Sequence, residues 1–157
     1  MLVEEGLVQI LLADPVVTAF VGDRIYPGVL PQKEAAGLSY PAIVFYIPPG
    51  ATRKRTERLE ARGFSGQTVS RYRFFCLAKG KFDGRGDYDT AKYLELALFL
   101  CLQGFNGTVS DGASPESTVD IDILQADPPY YAELWEDDTE TRQIACDYDV
   151  SHSEAMP

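Results

Sequence analysis

Histidine and cysteine are scarce in this chain, and each scarcity closes off chemistry. The one histidine, His152, is the sixth residue from the end, where a chain is expected to fray. Catalysis that turns on an imidazole is therefore hard to place. The three cysteines, Cys76, Cys101 and Cys146, are odd in number, widely spaced and never in a Cys-x-x-Cys pair. That pattern gives neither a disulfide framework nor a zinc site, and it reads as three small buried apolar residues. No apolar run approaches the roughly 18 residues a membrane span requires. The start, Met1-Leu-Val-Glu-Glu-Gly, lacks the basic opening and small-residue cleavage site of a secretory signal. The expectation is a chain that folds in a cytoplasm, with no membrane partner.

What is present is an ordinary globular composition over 157 residues, 45% hydrophobic and 24% charged. That predicts a single domain with a core of its own. The net charge of −10 is unevenly spread. Residues 1–51 hold two basic against five acidic side chains, residues 52–81 nine against two, and residues 82–157 three against seventeen. One basic segment inside an acidic chain suits contact with charged protein surfaces, its own copies included, better than a nucleic-acid coat.

Val3, Leu7, Ile10 and Leu11 mark one stripe of a helix, with Glu4 and Glu5 in its first turn. Asp14-Pro15 then reads as an N-cap with proline at the first helical position, and Gly22 closes this short second helix. In Val21-Gly-Asp-Arg-Ile-Tyr-Pro-Gly-Val-Leu-Pro-Gln, Pro27 and Pro31 force extended backbone, predicting an edge strand or bulged connection. Gly22, Tyr26, Pro27 and Pro31 are thus architectural. Residues 40–47 are a β-rich run stopped by Pro48-Pro49-Gly50. The polar stretch 52–58 predicts an exposed loop or the tip of a long hairpin, with 50–66 as its extent. Alternation over 68–78 puts Ser70, Tyr72, Phe74, Cys76 and Ala78 on the core face.

A glycine-rich turn over 79–86 leads to a central helix from about 88 to 102, capped by Asp87 or Asp89, with Leu94, Ala97, Leu98 and Cys101 inward. Residues 105–109, 119–123 and 139–151 predict further strands, and 151–157 a flexible tail. Helices on one face of a mainly antiparallel or mixed sheet make an α+β fold.

Candidate chemistry is thin. Asp120-Ile-Asp122 and Asp147-Tyr-Asp149 could together hold magnesium or calcium, the basis of a metal-dependent hydrolase. Outward polar residues of half-buried strands show the same alternation, and no base accompanies them. Residues 80–91 lack the Gly-Lys-Ser/Thr ending of a phosphate loop. They also put Arg85 and Tyr88 where a calcium loop needs a ligand and a glycine. Neither the Arg-Gly-Asp tripeptide at 85–87 nor the sequon at Asn106 has a secretory context. Arg53, Lys54, Arg55 and Arg58 have no interleaved aromatics for base stacking, so docking on an acidic protein surface suits them better. No catalytic residue, metal site or cofactor is expected.

Taken in order, these segments resemble a known family. They are the amino-terminal helix, Leu12-Ala-Asp-Pro, Val21-Gly-Asp-Arg-Ile-Tyr-Pro, Leu30-Pro-Gln, Tyr40-Pro-Ala-Ile-Val-Phe, Arg71-Tyr-Arg-Phe-Phe-Cys-Leu, Leu102-Gln-Gly-Phe-Asn-Gly and Thr141-Arg-Gln-Ile-Ala-Cys-Asp-Tyr. Over residues 2–150 the chain resembles the tail completion, or tail terminator, proteins of long-tailed bacteriophages, and is similar in fold to the tail terminator of phage lambda. The resemblance implies a non-enzymatic virion protein of the neck. Six copies would form a ring on the last ring of the tail tube, stop its polymerisation and meet the head connector proteins, while DNA passes through without specific binding. A head–tail adaptor or a tube subunit is the sibling role. In such a ring, Asp120, Asp122, Asp147 and Asp149 are candidates for an acidic lumen or an interface, where they would repel phosphates.

Overall fold

A computed structural model describes residues 1–28, 40–51, 53–60, 63–79, 85–112, 117–136 and 140–155. The amino-terminal stripe becomes α1 (Val3–Ala13), whose first turn is closed by the Glu5 carboxylate accepting from the Leu2 N–H at 2.8 Å. Asp14 then caps α2 (Pro15–Val21), its Oδ1 accepting from the N–H groups of Val16 at 2.8 Å and Val17 at 2.9 Å. Gly22 ends α2 at φ 58°, a conformation glycine adopts without the steric cost of a Cβ.

The chain turns at once into β1 (Ile25–Pro27), an edge strand running parallel to β2 (Ala42–Tyr46), with Tyr26 opposite Val44 and Pro27 opposite Phe45. Proline is tolerated at a strand's outer end because its missing N–H removes no ladder bond there. Pro31 lies outside the described residues. A long hairpin follows, β3 (Arg53–Glu60) antiparallel to the first half of β4 (Gly63–Lys79). The central helix is α3 (Arg85–Leu102). It begins earlier than the sequence predicts, so Asp87 and Asp89 fall inside it rather than at its cap. Then come β5 (Asn106–Ser110), β6 (Thr118–Gln125), β7 (Tyr131–Glu136) and β8 (Thr141–Ala155).

Among the described residues eight strands join in one sheet, in the order β1-β2-β4-β8-β6-β5, with β3 added beside β4 and β7 beside β8. The two long strands pair with each other from Ser65↔Ala155 to Lys79↔Thr141 and form its spine. All three helices lie on one face. There Leu7, Leu11, Val17, Leu94, Leu98 and Leu102 pack against Phe45, Phe74, Ile123, Ile144 and Tyr148. This is the predicted α+β class, with β1 the one parallel member among the described strands.

Three expectations need correction. His152 is not frayed: β8 continues to Ala155, and His152 is buried opposite Thr68, 3.5 Å from the Ser70 hydroxyl. The segment 151–157 is therefore strand as far as Ala155, because β4 extends far enough to pair with it. β7 has no counterpart among the predicted strands.

Gly6 is where α1 touches the sheet. A Cβ there would meet Val119 Cγ1 at 2.7 Å and Ile121 Cδ1 at 2.8 Å, so the absent side chain sets how closely helix and sheet approach.

Candidate functional site

The face of the sheet away from the helices carries the most ordered polar structure. Residues of one parity along β4 and β8 meet there, and cross-strand register sets Arg71 opposite Asp149 and Arg73 opposite Asp147. Each pair is a two-bond fork. Arg71 Nε and Nη2 donate to Asp149 at 2.9 and 3.3 Å, and Arg73 Nε and Nη2 donate to Asp147 at 2.8 and 3.1 Å. Planar guanidinium and carboxylate match in this geometry, which makes such pairs stronger than single contacts. The hydrogen bonds to their carboxylates raise both guanidinium pKa values further above an already high range.

A bulge closes over this ladder. β6 pairs with β8 as far as Gln125↔Tyr148, and β7 resumes at Tyr131↔Cys146. Residues 126–130 therefore stand opposite Asp147 alone. The Ala126 N–H donates to the Asp147 carbonyl at 3.1 Å. Arg71 Nη2 donates to the Asp127 carbonyl at 3.0 Å, and the Tyr130 ring sits 3.6 Å from the Arg73 guanidinium carbon. Asp147 ends up 3% exposed. The expectation of an outward-facing carboxylate is corrected accordingly: Asp147 is a buried counter-ion.

Asp120 and Asp122 lie on the same face but are not part of the ladder. Asp120 is exposed and accepts from the Thr108 hydroxyl at 2.5 Å, and Asp122 stands opposite Ser151. Among the described residues no three of His, Cys, Asp and Glu gather in a way that could hold a metal ion. Arg53, Lys54, Arg55 and Arg58 all fall on β3, the outer strand of the hairpin. Gly22, Tyr26 and Pro27 cluster at the opposite, β1 corner.

A second polar cluster, which sequence reasoning missed, ties α3 to β7. Lys92 Nζ donates to Glu133 at 3.0 Å and to the Tyr131 hydroxyl. Tyr131 and Tyr88 each donate to the same carboxylate, at 2.7 and 3.2 Å. The Arg142 guanidinium carbon is 5.5 Å from the centre of the Tyr88 ring and 5.0 Å from that of Trp135. The Tyr131 bond, with the Lys92 bond next, holds the Glu133 carboxyl below its usual range, and Tyr131 and then Glu133 raise the Lys92 ammonium. These residues lie up to some fifty positions apart, so no local pattern marks them.

Cys76 and Cys146 are buried as expected, and Cys101 is half-buried. Burial pushes Cys101 and Cys146 up to about 12 and Cys76 well above its ordinary value. Such thiols are poor nucleophiles and poor metal ligands. Ser70 and His152 are likewise buried.

The class defined by this fold is an α+β protein with helices layered on one face of a mixed sheet and a fork-paired ladder on the other. No family model matches the chain, and no curated protein does. Among solved structures it is similar to a chain of a structure titled "Virion of native gene transfer agent (GTA) particle". The TM-score is 0.58 at 16% identity, over 96% of this chain and 94% of that one. At that identity the likeness shows a shared fold, and it does so from end to end of both chains.

Proposed function

We propose that this chain is a structural protein of a phage-type virion. In this reading it is a single domain that forms a six-membered ring at the head-proximal end of the tail tube, ends tube growth and joins the tail to the head connector. The observation that carries the reading is the end-to-end fold likeness to a chain of a virion particle, 96% of one on 94% of the other. It supports the coarser part of the family resemblance, a phage-type structural protein. The charge layout supports it as well. A closed ring needs two unlike patches per copy, and the basic β3 and the acidic remainder supply them.

The hydrolase reading is weakened by a specific contact. Asp147 and Asp149 are each already forked onto a guanidinium, and a cation would have to displace both arginines. The same pairing narrows the acidic-lumen idea. With Asp147 and Asp149 paired to arginines, Asp120 and Asp122 are the two of the four carboxylates left to repel phosphate. A head–tail adaptor or tube subunit would use the same surfaces in another place in the neck or tail.

Sedimentation of the full chain, alone and with purified tail tubes, tests the reading. The expected species has six times the 17.4 kDa chain mass, free or capping one end of each tube. A chain that stays monomeric in both settings overturns the ring. A thermal melt that rises with magnesium or calcium would instead favour the hydrolase, since a ligand that binds only the folded state stabilises it.

A further inference from the structure

The register carries a consequence for how copies would meet. Lys54, Val69, Ser151, Asp122 and Asn106 stand in one row across β3, β4, β8, β6 and β5, and Arg55, Thr68, His152, Ile121 and Gly107 in the next. At this end the sheet is therefore a five-stranded section whose two edges, β3 and β5, lie level with each other. Among the described residues β3 pairs with β4 alone and β5 with β6 alone.

We infer that β3 of one copy pairs edge to edge with β5 of the next, continuing the sheet from subunit to subunit around the ring. The inference rests on the ring reading and names its contact. Four observations point to it. First, β5 reads Asn-Gly-Thr-Val-Ser, with none of the charges or prolines by which natural edge strands discourage partners. Second, the bond from the Ile123 N–H to the Phe105 carbonyl at 2.9 Å fixes the alternation along the β5–β6 pair. The main-chain groups of Asn106, Thr108 and Ser110 consequently point outward.

Third, charge selects the pairing. On the face that Asp120 and Asp122 share, the register puts Lys54 and Arg58 of β3 against Glu60, while Asp120 and Asp122 stand one strand behind the β5 edge. Two β3 edges repel, two β5 edges bring carboxylates together, and only β3 against β5 attracts. Selection against the like pairs favours a head-to-tail contact, which can close a ring, over a two-fold dimer. Fourth, strand directions agree. β3, β8 and β5 run one way and β4 and β6 the other. Rotation about a ring axis preserves strand sense, so β5 and the next β3 meet as a parallel pair, a form of strand addition.

The experiment measures the mass of the full chain by sedimentation under the conditions in which the wild type assembles. Thr108→Pro removes an outward N–H without touching the bonds to β6. Its expected effect is loss of assembly, with at least a tenfold higher concentration needed to reach the wild-type mass. Thr108→Ala, which keeps the N–H and loses only the bond to Asp120, should assemble as the wild type does. Because the proline variant could fail to fold, charge reversal gives an independent arm. Reversing Lys54 and Arg58 to Glu, or Asp120 and Asp122 to Lys, should each abolish assembly, and mixing the two variants should restore it through alternating copies. A folded Thr108→Pro chain that assembles like the wild type, or reversed variants that assemble separately, sink the edge pairing and leave the ring standing. A wild-type chain that never assembles sinks the ring reading, and this inference with it.

Discussion

Two side-chain pairs of one geometry differ in burial, and that difference separates their energetic weight. Arg73–Asp147 and Arg71–Asp149 are both forked, but the Asp147 side chain is 3% exposed against 30% for Asp149. Removing a buried partner strands the other charge, whereas an exposed pair is largely replaced by water. Asp147→Ala should lower unfolding free energy by about 3 kcal/mol and Asp149→Ala by about 1 kcal/mol or less. Urea titration of the two variants checks this, and equal losses would contradict it. Glu95 presents the opposite case. Burial raises its carboxyl pKa above the ordinary 4.5, so the folded chain holds that proton more tightly than the unfolded one. The associated stability is complete below pH 4.5 and is lost as pH rises through the raised value. At neutral pH the ionised group is a cost, and Glu95→Gln should raise Tm at pH 7 while leaving it unchanged near pH 4.

At the scale of elements, what the sequence revealed and what it hid follow from how each strand is buried. Val119, Ile121 and Ile123, and likewise Ile144, Cys146, Tyr148 and Val150, alternate because one face of their strand meets the helices. Their period is local and readable. β7 has no buried face, only half-buried Ala132 and Trp135 among exposed neighbours, so nothing local distinguishes it from a loop. Its register on β8 is what makes it a strand. The same reason hid the ladder, since Arg71 and Asp149 are 78 positions apart and meet only through pairing of the two long strands. The basic run on β3 was visible as a run, but its place on a sheet edge was not.

Besides its pairing with β8, β7 is tied to α3 by side-chain bonds, and those bonds have a pH window. The depressed Glu133 contributes above its ordinary 4.5 and loses that contribution as pH falls through the lower folded value. The raised Lys92 contributes below its ordinary 10.5 and loses that contribution as pH climbs through the higher folded value. The chain's one tryptophan, Trp135, sits on this strand. Its fluorescence should shift to the red in acid before the far-ultraviolet helix signal falls, and Glu133→Gln should abolish that early step. Coincident transitions would refute a separately released β7. The α1–β6 contact gives a second element-scale expectation. Gly6→Val places methyls where Val119 and Ile121 already stand, and overpacking of this kind costs about 1–3 kcal/mol. Equilibrium unfolding should show that loss.

For the whole molecule, the net charge of −10 works against the contacts proposed between copies. Like-charged bodies repel over distances of order their own diameter, while β3 and the carboxylates behind β5 would attract over less than about 10 Å. Salt separates the two ranges. The screening length is about 30 Å at 0.01 M, about 10 Å at 0.1 M and about 3 Å at 1 M. At the lowest salt the global repulsion survives and opposes association. Near 0.1 M it is largely screened while the short-range attraction persists, and at 1 M both are gone. Assembly should therefore pass through a maximum near 0.1 M salt, read as sedimentation mass across a sodium chloride series at fixed protein concentration. The Asp120→Lys, Asp122→Lys chain, less negative overall but without the local attraction, should show no such maximum. If wild-type assembly instead rose steadily to 1 M, apolar contacts rather than opposed charges would be joining the copies.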